Sequence, residues 1–468
     1  MAAILCASLA GCGLWKTPVR DVPQIAPEAY TNASAPTAPT VDWIADLDSP
    51  DGALQAAVAA ALSASPSVVQ LAAQRDQARA AWRIATSDRL PTADLNLRGS
   101  RSVVGRNQVA QAGQIFNLGL SVGWPADLWG QLSEAQRAAA LRSAAAERRF
   151  EGARRQLAAD VARAWFNAIE ARNLMTVFER RLDSLQSTTD IIESGYRRGL
   201  NEALDLYLAR NTLAQERSNL EAQRQQVQET AAELQRLGGR YPDGGALVEG
   251  RLPELDAGVP AGLPSELLVR RTDIAEAWLN VLAADADVAV AQRARLPSLS
   301  LSGSAGRVSE QLANIISEGD ESWSLVANLA GPLIDAGRRR AQVVQARASA
   351  AESEAIFVQR LLQAFSDVES ALSRSTQLAR QRAALVDARD AAQRALELAT
   401  DQYSRGLVDF TTVLESQRRA YDATTQVVRL TNRQLQNRIT LHRALGGEFA
   451  LAKSPPATGA GESGGQAR

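Results

Sequence analysis

The 468-residue chain has one histidine, two cysteines and almost no lysine. His442 stands alone, so no histidine cluster exists to hold a metal, and a Ser-His or Cys-His relay has a single candidate base. Cys6 and Cys12 both fall in the first dozen residues, which leaves nothing downstream to form a disulfide. Lys16 and Lys453 are the exceptions to an otherwise all-arginine basic set. With 51 basic and 52 acidic residues the net charge is -1, and no basic stripe marks a nucleic-acid face. Walker and dinucleotide fingerprints are missing. No apolar run reaches the roughly 18 residues of a membrane-spanning helix. A chain of this kind that crosses a bilayer must do so with strands. No catalytic residue, metal or cofactor is therefore expected.

What the chain does have is a second copy of itself. Asp160-Val161 returns 207 residues later as Asp367-Val368, and Tyr196-Arg-Arg-Gly199-Leu200 returns as Tyr403-Ser-Arg-Gly406-Leu407. Pro125, in Trp-Pro-Ala-Asp-Leu-Trp-Gly130, matches Pro332 in Gly-Pro-Leu-Ile-Asp-Ala-Gly337. Further upstream the offset is 206: Arg89-Leu90-Pro91 matches Arg295-Leu296-Pro297, and Pro66 falls opposite Thr272. One unit has been built twice. The organisation expected is a signal peptide over 1–11, an arm over 12–50, repeats over 51–239 and 263–450, a Pro/Gly-rich connector over 240–262 and a disordered tail over 451–468.

Met1 to Gly11 is short and apolar, although no basic residue precedes it. Residues 13 to about 50 are rich in Pro, Ala, Thr and Asp and read as an extended arm. A helical pattern follows from about Gly52 to Ser87, with Ser65-Pro66 as a cap and first-turn proline inside it, and Leu90-Pro91 as its stop. Residues 93–100 then alternate, with Ala93, Leu95, Leu97 and Gly99 on one face and Asp94, Asn96, Arg98 and Ser100 on the other. Leu118, Leu120, Val122 and Trp124 form a second run, Leu299 and Leu301 a third, and Leu325, Ala327 and Leu329 a fourth. Period two with one apolar and one small polar face predicts half-exposed strands. Such strands suit a barrel with a watery lumen and lipid outside, and equally a soluble sandwich with one wet face. Four strands cannot close a wide barrel alone; three copies supply twelve.

The stretches Gln131–Arg197 and Arg338–Ser404 hold no proline, and Gly152 and Gly195 are the only glycines in either. At 1.5 Å per residue each continuous helix would reach roughly 100 Å. Gly199-Leu200 and Gly406-Leu407 turn the chain into further helices of about 35 residues, stopped near Gly238-Gly239 and Gly446-Gly447. Long coiled-coil hairpins with Ala-rich seams and polar outer faces result.

On these residues the chain resembles the outer-membrane factors of tripartite efflux and secretion systems, the TolC-like family, and within it the lipoprotein branch of OprM and NodT type. Leu9-Ala10-Gly11-Cys12 resembles the lipobox, and Asp127-Leu128-Trp129-Gly130 is similar to the family's strand-to-helix return. Gly262-Leu263-Pro264-Ser265-Glu266-Leu267-Leu268-Val269-Arg270-Arg271-Thr272-Asp273-Ile274 looks like the branch signature, with Thr272 where a proline usually stands. The resemblance implies a mainly α chain with a membrane β-barrel portion: a homotrimer whose four strands per copy close a twelve-stranded barrel in the outer membrane and whose helices continue it through the periplasm. It implies diacylated Cys12, a periplasmic adaptor protein and an inner-membrane pump as partners, and passive conduction of small molecules. Gly199, Leu200, Gly406 and Leu407 become the adaptor-docking tips. Thr412 and Glu415 fall where the family often gates its tip with inward carboxylates, and a ring of three Glu415 side chains would raise their own pKa by repulsion. Tyr403 matches a position that ties the closed tip together, Tyr196 is its repeat partner, and packing is the role expected of both.

Two other readings stay open. One is a polypeptide-secretion duct; the other is a lipid-anchored periplasmic coiled-coil scaffold that conducts nothing. His442, near the end of the last helix, is read as a cation favouring that helix terminus.

Overall fold

The protein is described by a computed structural model covering residues 30–31, 43–48, 52–106, 109–245, 248–255, 270–317 and 319–447. Cys12, the signature residues 262–269, the end of the connector and the C-terminal tail lie outside the described residues. In chain order the elements are α1 (Trp43–Leu47), α2 (Ala53–Ala64), α3 (Pro66–Ser87), β1 (Thr92–Arg106), β2 (Val109–Ala126), α4 (Gln131–Arg197) and α5 (Ala203–Leu237). The second repeat then supplies α6 (Thr272–Arg293), β3 (Ser298–Ser309), β4 (Asp320–Ala330), α7 (Arg338–Ser404) and α8 (Phe410–Ala444). Among the described residues no single helix is long and apolar enough to cross a membrane.

Two compact units form, and each draws on both repeats. The first contains residues 72–149 and 273–360 and is built on one antiparallel sheet in the order β1-β2-β3-β4. Its register places like with like. Leu95 faces Leu120 and Leu97 faces Leu118, Trp124 lies opposite Leu301, and Leu301 lies opposite Ala327. One sheet face is thus apolar along these rungs, up to the row where Leu118 lies opposite Arg307 and Arg307 opposite Glu321. On the other, Asn96 lies opposite Gly119, Ser121 opposite Ser304, and Ser304 opposite Ser324, with Asn96 Nδ2 donating to Ser121 Oγ at 2.8 Å. Polar side chains therefore back an apolar sheet face that none of the described residues covers at Leu95, Trp323 and Leu325, which are 77–81% exposed. The strands run 11 to 18 residues, enough for the roughly 9–11 that a tilted strand needs to span a bilayer. β1 and β4 each keep one unpaired edge.

The second unit contains residues 25–71, 150–272 and 361–468, and its core gathers apolar residues from α1, α2, α4 and α8. Polar side chains set the neighbours. Gln223 on α5 donates to the Ala171 carbonyl on α4 at 2.8 Å, Asn432 on α8 donates to Asn167 on α4 at 2.8 Å, and Asn437 on α8 donates to the Ala371 carbonyl on α7 at 2.9 Å. These bonds pair α5 with α4, α4 with α8 and α8 with α7. Arg271, from the paired arginines before α6, reaches Asp367 at 3.2 Å, so the repeated Asp-Val position serves as a tie between segments.

Several sequence expectations need correction. The helix expected from Gly52 to Ser87 is two helices, because Ser65 takes an extended conformation (ψ 125°) just ahead of Pro66, as the residue before proline prefers. The strands outrun their alternating pattern, β1 continuing to Arg106 and β2 starting at Val109. Within the connector, Val248, Leu252 and Leu255 pack on the core. His442 is buried with its ring stacked on Trp43 at 6.0 Å, and burial drives its pKa down to about 3. It is neutral and gives the helix terminus no charge.

Candidate functional site

The residues singled out by the sequence converge on the two hairpin turns of the second unit. Both turns close identically. The Gly199 N–H donates to the Tyr196 carbonyl and the Leu200 N–H to the Gly195 carbonyl, each at 2.9 Å. Gly406 and Leu407 repeat the pair onto Tyr403 and Gln402, again at 2.9 Å. This paired 5→2 and 6→1 closure requires a left-handed residue, and Gly199 (φ 75°) and Gly406 (φ 71°) supply it. In most such turns the residue after the glycine packs back on the helix. Here the positions it would pack on are Gly195 and Gln402, which offer no apolar surface. Leu200 and Leu407 consequently remain 74% and 69% exposed. They are apolar pegs that none of the described residues covers.

Behind the pegs, the turns are joined. Asn201 Nδ2 donates to Tyr403 Oη at 3.0 Å, linking the first turn to α7. Gly195 makes this possible, because a Cβ there would lie 1.8 Å from Asn201 Oδ1. The Tyr403 ring tilts against Phe410 at 5.8 Å, at the edge of a cluster of Ile192, Leu206, Ala209, Ala399, Phe410 and Val413. Tyr196 behaves differently from its repeat partner: it is 44% exposed and joins no cluster. Glu202 precedes α5 without a side-chain cap, and Asp205 is the acidic residue of the first turn of α5.

Glu415 lies on α8, nine residues past Gly406, and Thr412 is exposed one turn earlier. Glu415 accepts from Arg418 at 2.8 Å and from Arg419 at 2.7 Å, and these two guanidiniums hold its carboxyl down at about 2. Arg418 also reaches Asp422 at 3.2 Å. Within one chain the carboxylate is thus half of a balanced cluster, two acidic and two basic groups along one helix face.

Sequence reading missed a second bridge between the hairpins. Arg181 on α4 pairs with Glu216 on α5 at 3.2 Å and Asp422 on α8 at 3.4 Å. Arg181 and Glu216 are nearly sealed from solvent, with side chains 14% and 2% exposed. Gln417 on α8 adds a donor to Ser184 on α4 at 2.7 Å. No local pattern announces this bridge, since each member sits on a charged helix among many alike. Asn201 had a signal that went unread: Gly195 is one of two glycines in a 67-residue helix, and a glycine there invites the question of what approaches it.

A family model for outer membrane efflux proteins matches residues 57–240 and 263–447. The pyoverdine export outer membrane protein OpmQ of Pseudomonas putida is 31% identical over 467 residues, covering 96% of this chain and 97% of its own. Outer membrane protein OprJ of Pseudomonas aeruginosa is 28% identical over 468 residues, at 97% and 96% coverage. The crystal structure of a membrane protein from Pseudomonas aeruginosa superposes with a TM-score of 0.85 at 27% identity, covering 92% of this chain and 99% of that one.

Proposed function

The chain belongs to the outer membrane efflux protein family, and from that premise we propose how it works: three copies form the outer-membrane exit duct of a tripartite efflux system and pass small molecules outward without doing chemistry on them. The carrying observation is the two-faced sheet. Rows such as Leu95-Leu120-Ala305-Trp323 and Trp124-Leu301-Ala327 make one face apolar, Asn96, Ser121, Ser304 and Ser324 make the other polar, and the pair suits lipid on one side and water on the other. A periplasmic scaffold would need neither face. Open edges on β1 and β4 leave each copy's sheet complete only beside another.

Cys12 is the lipid anchor in this reading, two acyl chains giving a stable hold where one would not. Leu200 and Leu407, raised on Gly199 and Gly406, are the surfaces offered to the adaptor, and through it the inner-membrane pump supplies the energy. Asn201 with Tyr403, and Arg181 with Glu216 and Asp422, are the ties that hold the hairpins together at rest. Glu415 and Thr412 line the constriction that these ties keep narrow. The repeats, 51–239 and 263–450, alternate around the duct.

Electron microscopy of the full-length protein extracted from outer membranes tests the proposal. A three-fold particle with a central channel is expected. Monomeric or dimeric solid rods would overturn it and leave the scaffold.

A further inference from the structure

We propose that the cavity over α4, between α5 and α8, is a transit site on the conducting path for zwitterionic amphiphiles, with Glu170 meeting the ligand's ammonium, Arg429 its carboxylate, and Leu174 and Phe178 its apolar body; the proposal rests on the channel reading. The cavity holds about 680 Å³, within the range of small-molecule sites. All of its lining belongs to the second unit of one chain. At 3.6 residues per turn, positions along α4 resolve into faces. Val161 and Trp165 pack in the core that α1 and α2 build. Leu182 packs with Leu220 and Val227 of α5, while Ser184, on the opposite flank, accepts from Gln417 of α8. Leu174 stands two and a half turns past Trp165, directly across the helix from it, with Glu170 and Arg181 on the same side. Both flanks of α4 are thus taken within the chain, and no neighbouring copy is needed to build the cavity. In a ring of helices the remaining two sides face outward and into the bore. The α1–α2 layer holds one of them, and in the bore it would fill the channel. The cavity therefore opens on the conducting path.

Its charges are placed for a ligand that carries both signs. Glu170 accepts from Asn432 but has no ion pair among the described residues. Burial raises its pKa, an effect opposed by the Asn432 bond and by Arg429 and Arg433 acting without contact. A partly buried carboxylate is stabilised by an adjoining cation, and an ammonium would supply one. Arg429 has no hydrogen bond or ion pair of its own among the described residues. Arg181 and Asp422 line the same cavity, but they pair with each other at 3.4 Å, and Glu216 takes the other side of Arg181 at 3.2 Å. One charge of each sign is left open beside an apolar wall of Leu174 and Phe178. A molecule with an ammonium and a carboxylate on an apolar body satisfies both groups; a singly charged one leaves the other unmatched. The fold does not call for this set. In the second repeat, 207 residues on, Glu170 is replaced by Gln377 and Arg181 by Ala388, on a helix of the same 67-residue length.

The test uses three probes with one aromatic body. Nε-dansyl-lysine carries both charges, dansylcadaverine only the ammonium and dansylglycine only the carboxylate. Binding to the full-length protein in detergent is measured by equilibrium dialysis against detergent alone. The wild type should bind dansyl-lysine about tenfold more tightly than either analogue, the worth of one charged hydrogen bond. Glu170→Gln should remove that advantage and weaken dansylcadaverine while sparing dansylglycine; Arg429→Gln should remove it too, with the two analogues reversed. An unaltered oligomer in both variants separates lost binding from lost folding. In planar bilayers dansyl-lysine should interrupt the wild-type current and leave that of Glu170→Gln uninterrupted. Equal binding of the three probes by the wild type, or unchanged dansyl-lysine binding in both variants, would overturn the site. Binding without interruption of the current would take the cavity off the conducting path and overturn the transit role. A wild type that inserts and conducts but binds no dansyl-lysine defeats only this proposal; one that neither inserts nor conducts defeats the channel reading beneath it.

Discussion

Tyr403 and Asn201 add one hydrogen bond to the apolar cluster that both turns share. One neutral hydrogen bond contributes about 1 kcal/mol, and about 1.4 kcal/mol changes a two-state ratio tenfold. Tyr403→Phe keeps the ring against Phe410 and removes only the acceptor. Its open-channel probability in planar bilayers should rise several-fold, and an unchanged value would remove the tie from the gate. His442 makes a pH prediction. Its folded pKa of about 3 lies below the roughly 6.5 of an unfolded histidine. Between those values the unfolded chain takes a proton that the folded chain refuses, so stability falls as pH falls through that window. Desolvation is the main cause, with Arg438 adding repulsion. His442→Phe, which preserves the stack on Trp43, should flatten the acid limb of a denaturation profile by on the order of 3 kcal/mol at about pH 4. A parallel acid limb in the variant would show that other groups dominate. Neither residue's role was legible in sequence: Tyr403 needed Asn201 brought from 202 residues away, and His442 needed its burial.

At the scale of elements, punctuation made the long helices readable. Pro125 and Gly130, then Gly199, bound α4, and Gly337 and Gly406 bound α7, so both 67-residue spans stand as the sequence predicts. The break at Ser65 was harder, since Ser-Pro suits a first turn and a boundary equally. Strand β1 was readable only where it alternates. Past Ser100 the residues Arg101-Ser-Val-Val-Gly105 lose period two, and it is pairing with β2 that carries the strand on to Arg106. The faces themselves give a test. Leu95→Arg places a charge on the apolar face at a cost of about 2–4 kcal/mol near the bilayer midplane, and the yield of assembled protein from outer membranes should fall sharply. Asn96→Arg, one residue along on the polar face, should assemble normally. Equal yields for the pair would mean that the faces have been assigned to the wrong solvents.

For the whole molecule, the repeat made the architecture legible and hid what distinguishes its halves. Asn201 has Val408 as its counterpart, Gly195 has Gln402, and the acid-led start of α4 faces the arginine-led start of α7; none of these contrasts shows in the repeat itself. Glu415 is the sharpest case. A ring of three carboxylates would raise its pKa by repulsion, whereas Arg418 and Arg419 within each copy lower it to about 2. Within one copy the arginines set the direction, because their contacts to the carboxylate are 2.7–2.9 Å hydrogen bonds. The carboxylate is then ionised throughout the neutral range, and the cluster of Glu415, Asp422, Arg418 and Arg419 is balanced. Removing the carboxylate upsets that balance three times over in a trimer. Glu415→Ala should move the reversal potential of single-channel current toward anion preference and weaken block by divalent cations, whereas the wild-type preference should not change with pH near neutrality. A reversal potential identical in both proteins would take Glu415 out of the conducting path and place its arginine cluster on an outer face of the helices.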